Sequence, residues 1–415
     1  MALDVEVLVI GGGVIGVCSA YYLAQKGFNV TLIEKDEIAS GCSYGNGGLI
    51  VPSHSVPLAS PGALGNGLRW LFDDASPFYI KPRLDLDLVR WLVGFTVASR
   101  SQNMLKSLPI LRDLLFASRA LYKELAATTG FDFGFEGNGS LQVFLSKESL
   151  EDGIHEARLM ERFQIPTQIL NASQTHDLEP ALLPNMAGGI YYPRDGRIDP
   201  ARFVTGLAEK AKGLGVQVWT KTEAIHFEIS RGHITKVHTT RGEIHAKQVV
   251  LAAGSWSPNV ARSLRLNIPI QAAKGYSVTL ENPTVTPKLP LLLAEAHVVV
   301  NPLGHALRIA GTLELAGMDF SFHPGRVTAV RESACDFLSG IDTANVIEIW
   351  RGLRPCTPDG LPVIGRTPEL QNLIVAAGHA MLGMSLGPVT GKLVSQLVSE
   401  EGVLLDVAPL RPERF

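Results

Sequence analysis

Residues 5–10 form a largely apolar, β-branched run, interrupted only by Glu6, that passes straight into Gly11-Gly12-Gly13 and then into a helical pattern reaching Ala24. The order is strand, tight turn, helix. Gly27 and Asn29 close that helix, and residues 30–33 read as a second buried strand ending in Glu34. Together these segments make one βαβ unit. Beyond Pro57 the pattern changes, as proline-rich turns lead into helical periodicity around residues 86–97 and 108–126, an inserted helical layer. Alternating segments at 140–145, 217–221, 224–229 and 233–239, with glycine turns between them, read as antiparallel strands of a second, mixed-sheet domain. Two later apolar runs, VVLAAG within 248–254 and IVAAG within 373–378, have the character of fully buried strands and are assigned to the first unit. The expected fold is α/β, a Rossmann-like dinucleotide-binding domain interleaved with a mixed-sheet substrate domain. Its first domain takes residues 1–56, part of about 150–260, and 350–415; the second takes about 57–150 and 261–349.

Composition narrows the class. A chain of 415 residues, 46% hydrophobic and 19% charged with 41 Gly and 25 Pro, is a turn-rich globular protein too large for a single core. The net charge of -3 leaves no basic surplus for a phosphate backbone, which argues against nucleic acid as a partner. Cys18, Cys42, Cys335 and Cys356 form no CxxC pair, so neither a disulfide framework nor a metal site is signalled, and a reducing cytoplasm is expected. Asp4 and Glu6 precede the first apolar run, where a secretory signal would carry basic residues. No apolar stretch reaches membrane-spanning length, so membrane contact is expected to be peripheral at most, at the inner face of the cell membrane.

Gly11, Gly13 and Gly16 satisfy G-x-G-x-x-G between a strand and a helix. The first permits the tight turn, the second lets the backbone approach a pyrophosphate, and the third lets helix and strand pack closely. The helix N-terminus then offers unpaired N–H groups and a positive dipole end to the phosphates. Glu34 is placed to accept from a ribose hydroxyl, and its charge disfavours a 2′-phosphate. A loop of small residues follows, running from Ser40 through Cys42, Ser43, Asn46 and Gly48 to Leu49; it suits backbone N–H contacts to an extended cofactor with a flat ring.

At this point the sequence resembles the D-amino-acid oxidase superfamily of FAD enzymes, most closely its D-amino-acid dehydrogenase branch. The resemblance covers nearly the whole chain and rests on VLVIGGGVIG at 7–16, SYGNGGLIVPSH at 43–54, VVLAAGSWS at 249–257, RIAGT at 308–312, RGLRPCTPDGLPVIG at 351–365 and AAGHAMLGMSLGP at 376–388. It implies a two-domain flavoprotein with the isoalloxazine at the domain interface. Besides the residues above, it places Val14, Ile15, Lys35, Ala224, Ala253, Gly254, Trp256, Gly365, Gly378, Gly383 and Met384 against the FAD. Cys356 is out of register with the cysteine through which some sarcosine oxidases attach flavin, so the FAD is expected to be non-covalent.

The implied reaction is hydride transfer from the Cα of a D-amino acid, or of a D-proline-type or D-hydroxyproline-type imino acid, to flavin N5, with electrons leaving to a quinone or other carrier. The flavin supplies the electronics and the protein the orientation. A planar, permanently charged guanidinium suits the substrate carboxylate, and the GLRP segment carries that role to Arg354, with Arg351 and Arg308 as alternatives. His54, His297 and Tyr276 are further pocket candidates from their place in matched segments. Residues 380–382 lack the second arginine of the family's glycine oxidases. A glycine- or sarcosine-type oxidase using oxygen, and a flavin-binding subunit of a multi-subunit dehydrogenase, are the rival readings. The apolar block with Trp70, Leu71, Phe72, Trp91 and Phe95 reads either as a docking face or as internal packing.

Overall fold

A computed structural model describes residues 2–61 and 78–415. The chain builds two large sheets that meet across one cavity. In the first, strand Ala2–Ile10 lies between Val30–Ile33 and Gly242–Leu251, parallel to both, and Leu373–Ala377 runs parallel beside the end of Gly242–Leu251. The expected strands near 248–254 and 373–378 therefore do sit in this sheet. Residues 7–10, 249–251 and 373–377 are buried throughout, which accounts for their unbroken apolar sequences.

Segments 217–221, 224–229 and 233–239 belong here too, not in the second domain where their alternation suggested them. Gln217–Trp219 extends one edge in parallel, and Ala224–Ser230 with His233–Thr239 forms a hairpin that continues the other. An antiparallel hairpin at a sheet edge keeps one face wet, so it alternates whichever sheet it joins.

The second sheet runs Asn345–Cys356, Gln271–Glu281, Ala306–Leu315, Val298–Leu303, Leu291–Leu293, Ser140–Phe144, Gly188–Tyr192, Gln168–Asn171. One boundary differs from the sequence reading, that at residue 350. Residues 168–192 contribute two strands here, and the 350–356 stretch completes this sheet. Gln271–Glu281 is buried at every position but its last, being flanked on both edges and covered on both faces.

The helix Val14–Gln25 is buried on nearly all sides and crosses Gly383–Ser399 at Gly387 and Gly391. A Cβ at Gly387 would lie 2.6 Å from Val14 Cγ2, and one at Gly391 2.6 Å from the Cys18 carbonyl oxygen. The missing side chains thus set the interhelix distance. Helix Ser101–Thr128 packs Leu111, Leu114 and Leu115 on Leu386, Val389 and Leu393 of the same C-terminal helix, so it serves the first sheet's layer and not the second sheet. Tyr122 Oη donates to the Met384 carbonyl at 2.6 Å. Trp91 and Phe95 are buried, stack at 5.1 Å, and Trp91 Nε1 donates to the Cys356 carbonyl. For these two residues internal packing replaces the docking face; Trp70, Leu71 and Phe72 lie outside the described residues. No helix among the described residues is long and apolar enough to cross a membrane.

Asp195 ties the loop after Leu49–Ile50 to the second sheet. It is fully buried and accepts from Ser53 N (3.0 Å), Ser53 Oγ (2.6 Å) and Ser140 Oγ (2.6 Å). Burial, only partly offset by these donors, pushes its pKa up to about 6. A carboxyl that ionises less readily folded than unfolded stabilises the fold when protonated, and that contribution is lost as pH rises through about 6. The stability of the parent relative to Asp195→Asn is therefore expected to fall by up to about 3 kcal/mol between pH 4 and pH 7. Parallel urea titrations of the two proteins across that range would show it; a constant difference would rule it out.

Candidate active site

The cavity between the sheets has a volume of about 550 Å³, within the range of cofactor sites. It begins at the turn after the first strand. Gly11 sits at φ 116° with its α-carbon against the Ala252 carbonyl, and Gly16 packs on the Gly11 carbonyl; neither position has room for a Cβ. Gly13 is different. Its backbone is extended, at φ -77° and ψ -178°, and the only neighbour of an added Cβ is Ser43 Oγ at 3.4 Å. The space it keeps clear is cavity.

Helix Val14–Gln25 starts at Gly13 with no capping side chain of its own, and Ser43 Oγ accepts from Val14 N at 3.0 Å. Helix Gly383–Ser399 also starts without a side-chain cap, and Gly383 and Met384 line the same cavity. Two positive helix ends thus converge on one space, an arrangement suited to anionic groups. At the end of the second strand Glu34 accepts from Gly12 N (2.7 Å) and Asp36 N (2.9 Å) and borders the cavity.

The small-residue loop is held by the other sheet. Arg308 Nη1 donates to the carbonyls of Tyr44 (3.1 Å) and Asn46 (3.2 Å), Asn301 Nδ2 to that of Gly47 (2.8 Å), and the Cys42 thiol to that of Leu353. Ser40, Cys42, Ser43 and Asn46 line the cavity with Lys35, Ala224, Ala253, Gly254 and Trp256. Lys35 Nζ lies 4.2 Å from the Trp256 ring centre.

Several expected contacts fall elsewhere. Gly16, Gly48, Leu49, Gly365 and Gly378 do not line the cavity but shape its walls. Gly48 turns at φ 74°, Leu49 pairs with Arg197, Gly365 faces Arg411, and Gly378 turns at φ 75° against Thr357. His54 and His297 are also off the cavity. Burial holds the His54 imidazole neutral, with its pKa down at about 4, and His297 occupies a left-handed turn position at φ 51° between two strands of the second sheet. His54 is only partly exposed and His297 is exposed, both away from the cavity.

The three arginines separate cleanly. Arg308 is buried, ion-paired with Glu348 at 3.1 Å and committed to the loop carbonyls. Arg351 faces Tyr276 across the strand pair, donates to the Phe320 carbonyl and lies 4.4 Å from the Phe322 ring centre. It fastens the 316–323 segment, which Lys274 also holds through the Ser321 carbonyl (3.0 Å) and Asp319 (3.5 Å). Phe320 is thereby stacked on Trp256 at the cavity wall.

Arg354 stands on the opposite face of its strand from Arg351, since residues an odd number apart alternate. Its guanidinium lies over Gly275, and its sole hydrogen bond among the described residues runs from Nη1 to the Thr312 carbonyl at 2.6 Å. Thr312 adopts φ 63°, a left-handed backbone that costs a β-branched residue about 1–3 kcal/mol. That conformation turns its carbonyl onto Arg354. No carboxylate among the described residues pairs with Arg354, and burial is what lowers its pKa. The acids on the cavity, Glu34, Asp36 and Glu223, belong to the first sheet's side.

Sequence reasoning missed Trp350, Gly275, Ala310, Phe320 and His379, all of which line the cavity. The signal for Trp350 was present: with Gly352 and Arg354 it forms a spacing of two along one strand, hence one face. His379 is buried, bonded through Nε2 to Thr390 Oγ1 at 3.0 Å, and kept neutral by burial, with its pKa near 3. Cys356 is buried off the cavity, so it is not arranged to reach a flavin.

The cradle fits a dinucleotide with a flat ring: a turn that keeps one Cβ-sized space open at Gly13, two uncapped helix ends, and an acid at Glu34. Residues 6–397 match the family model described as DAO, FAD dependent oxidoreductase. The chain is 32% identical to a D-amino acid dehydrogenase of Cereibacter sphaeroides, over 99% of this chain and 95% of the relative. It is 33% identical to the one of Vibrio atlanticus, over 95% and 96%. Among solved structures, glycine oxidase from Geobacillus kaustophilus superimposes with a TM-score of 0.81 at 26% identity, covering 100% of this chain and 99% of that one.

Proposed function

The chain belongs to the DAO family of FAD-dependent oxidoreductases, and from that premise we propose that it oxidises the CH–NH carbon of small D-amino acids or D-proline-type imino acids and passes the electrons to a quinone or other carrier. The observation that carries the substrate class is Arg354, a cation on the cavity wall with no acid partner among the described residues. A carboxylate arriving there gains a charge-assisted, two-pronged contact without displacing a protein anion. Bound FAD accepts the two electrons released at the substrate carbon.

The protein's part is positioning. Thr312 fixes the guanidinium, Gly275 leaves it room, and Trp350 and Phe320 close the walls with apolar surface. His379, neutral through the ordinary pH range, contributes no positive charge that would oppose an amine. The D configuration and the carrier acceptor rest on the names of the relatives at 32% and 33% identity.

A second reading, an oxidase of glycine or sarcosine that uses oxygen, is favoured by the glycine oxidase superposition. The absence of an arginine at 380–382 favours the first. Dye-linked reduction across D- and L-amino acids, glycine, sarcosine and hydroxyproline isomers, run beside oxygen uptake, separates them. D-substrates reducing the dye with little oxygen consumed is the expected result; turnover confined to glycine or sarcosine with stoichiometric oxygen uptake would overturn it. Peripheral contact with a membrane would serve a quinone acceptor, and vesicle flotation of the full chain tests that part.

A further inference from the structure

A second pocket, of about 500 Å³, shares no lining residue with the cofactor cavity. Arg119 and Lys123 of helix Ser101–Thr128, Arg194, Glu136 and Phe135 border it. The acids nearby are already engaged. Glu136 pairs with Arg197 at 2.7 Å, and Asp195 is committed to Ser53 and Ser140.

The cations are not. Arg119 Nη2 donates to the Gly137 carbonyl at 3.2 Å, but its Nε is buried with no hydrogen-bond partner. Lys123 and Arg194 enter no ion pair among the described residues. Burial first, and then the neighbouring Arg194 charge, hold Arg119's pKa down, with Asp195 countering only in part. Like charges gathered around a concavity repel one another, and a partly buried guanidinium with an unmet donor adds a desolvation cost. Both costs are relieved by an anion.

The donor set selects the anion. Two guanidinium forks and an ammonium supply more N–H groups than one carboxylate can use, whereas the three terminal oxygens of a phosphate monoester match three cations. Phe135, half-buried on the wall, offers apolar surface to the ester's organic part. We propose that this pocket is a binding site for a small phosphate monoester, its dianion seated among Arg119, Lys123 and Arg194.

The test is calorimetric titration of the FAD-loaded full chain with phenyl phosphate, with inorganic phosphate as competitor and acetate as the carboxylate control. One saturable site is expected, competed by inorganic phosphate, weakened by salt, and not reproduced by acetate. Arg194→Glu should weaken binding at least tenfold with flavin absorbance and melting curve unchanged, since Arg194 is exposed and outside the cofactor cavity. Arg354→Leu should bind phenyl phosphate as the parent does, which keeps this site distinct from the substrate anchor. The absence of saturable binding, equal binding by Arg194→Glu, loss of binding in Arg354→Leu, or acetate binding as tightly as phenyl phosphate would each overturn the proposal.

Discussion

Replacing Arg354 by Leu is expected to cut kcat/KM for D-amino acids by a factor of tens to several hundred while leaving flavin content near that of the parent. The change removes a charge-assisted bidentate contact in a partly desolvated pocket, a loss on the order of 2–4 kcal/mol. The flavin is spared because the first sheet's turn and the two helix ends make its cradle, whereas Arg354 is held from the second sheet by Thr312. Lys at this position should recover only part of the activity, since it keeps the charge and loses the planar fork. Steady-state kinetics together with the flavin-to-protein absorbance ratio decide the matter. Parent-like turnover in Arg354→Leu would move the anchor elsewhere, and Arg351 is then the next candidate because, unlike Arg308, it has no carboxylate partner among the described residues.

Gly13→Val should yield a folded, colourless protein, with FAD affinity reduced by on the order of a hundredfold or more, roughly 3 kcal/mol. Most glycine substitutions in such a turn fail because the fold fails, as would be expected at Gly16, where any side chain overlaps the Gly11 carbonyl. Gly13 avoids that confusion. Its extended backbone suits any residue, and an added Cβ meets only Ser43 Oγ at 3.4 Å, so the side chain intrudes on the cofactor's space and not on the protein's. Circular dichroism beside fluorimetric FAD titration checks both halves of the expectation. A yellow Gly13→Val protein of parental affinity would show that the pyrophosphate is not seated at this turn.

The βαβ unit was legible because everything that defines it is local: a buried run, three glycines at fixed offsets and an acid at the second strand's end. The hairpin 224–239 was assigned to the wrong sheet because alternation reports one wet face and nothing about which sheet lies alongside. Arg354 was reachable through the GLRP segment, but its isolation from acids was not, since Thr312 and Gly275 come from other strands. His54 and His297 lie off the cavity for a related reason. A matched segment places a backbone, and whether its side chain points into the cavity depends on turns such as the one His297 makes at φ 51°. Asp195 and the cationic pocket depend on pairings between distant segments, about which local patterning is silent.

Strand Ala2–Ile10 has one neighbour only about twenty residues on, but the other, Gly242–Leu251, is followed in the sheet by Leu373–Ala377. During synthesis one apolar side of strand Ala2–Ile10 therefore waits, unpaired, until more than half the chain has emerged. Loop-closure entropy makes such distant pairings slow to form, and an exposed apolar edge invites association with other chains in the interval. The yield of active protein is then governed by the rate of translation and by chaperone supply as much as by the stability of the finished fold. A chain cut before residue 373 would leave Gly242–Leu251 unpaired along residues 249–251 on the side away from Ala2–Ile10.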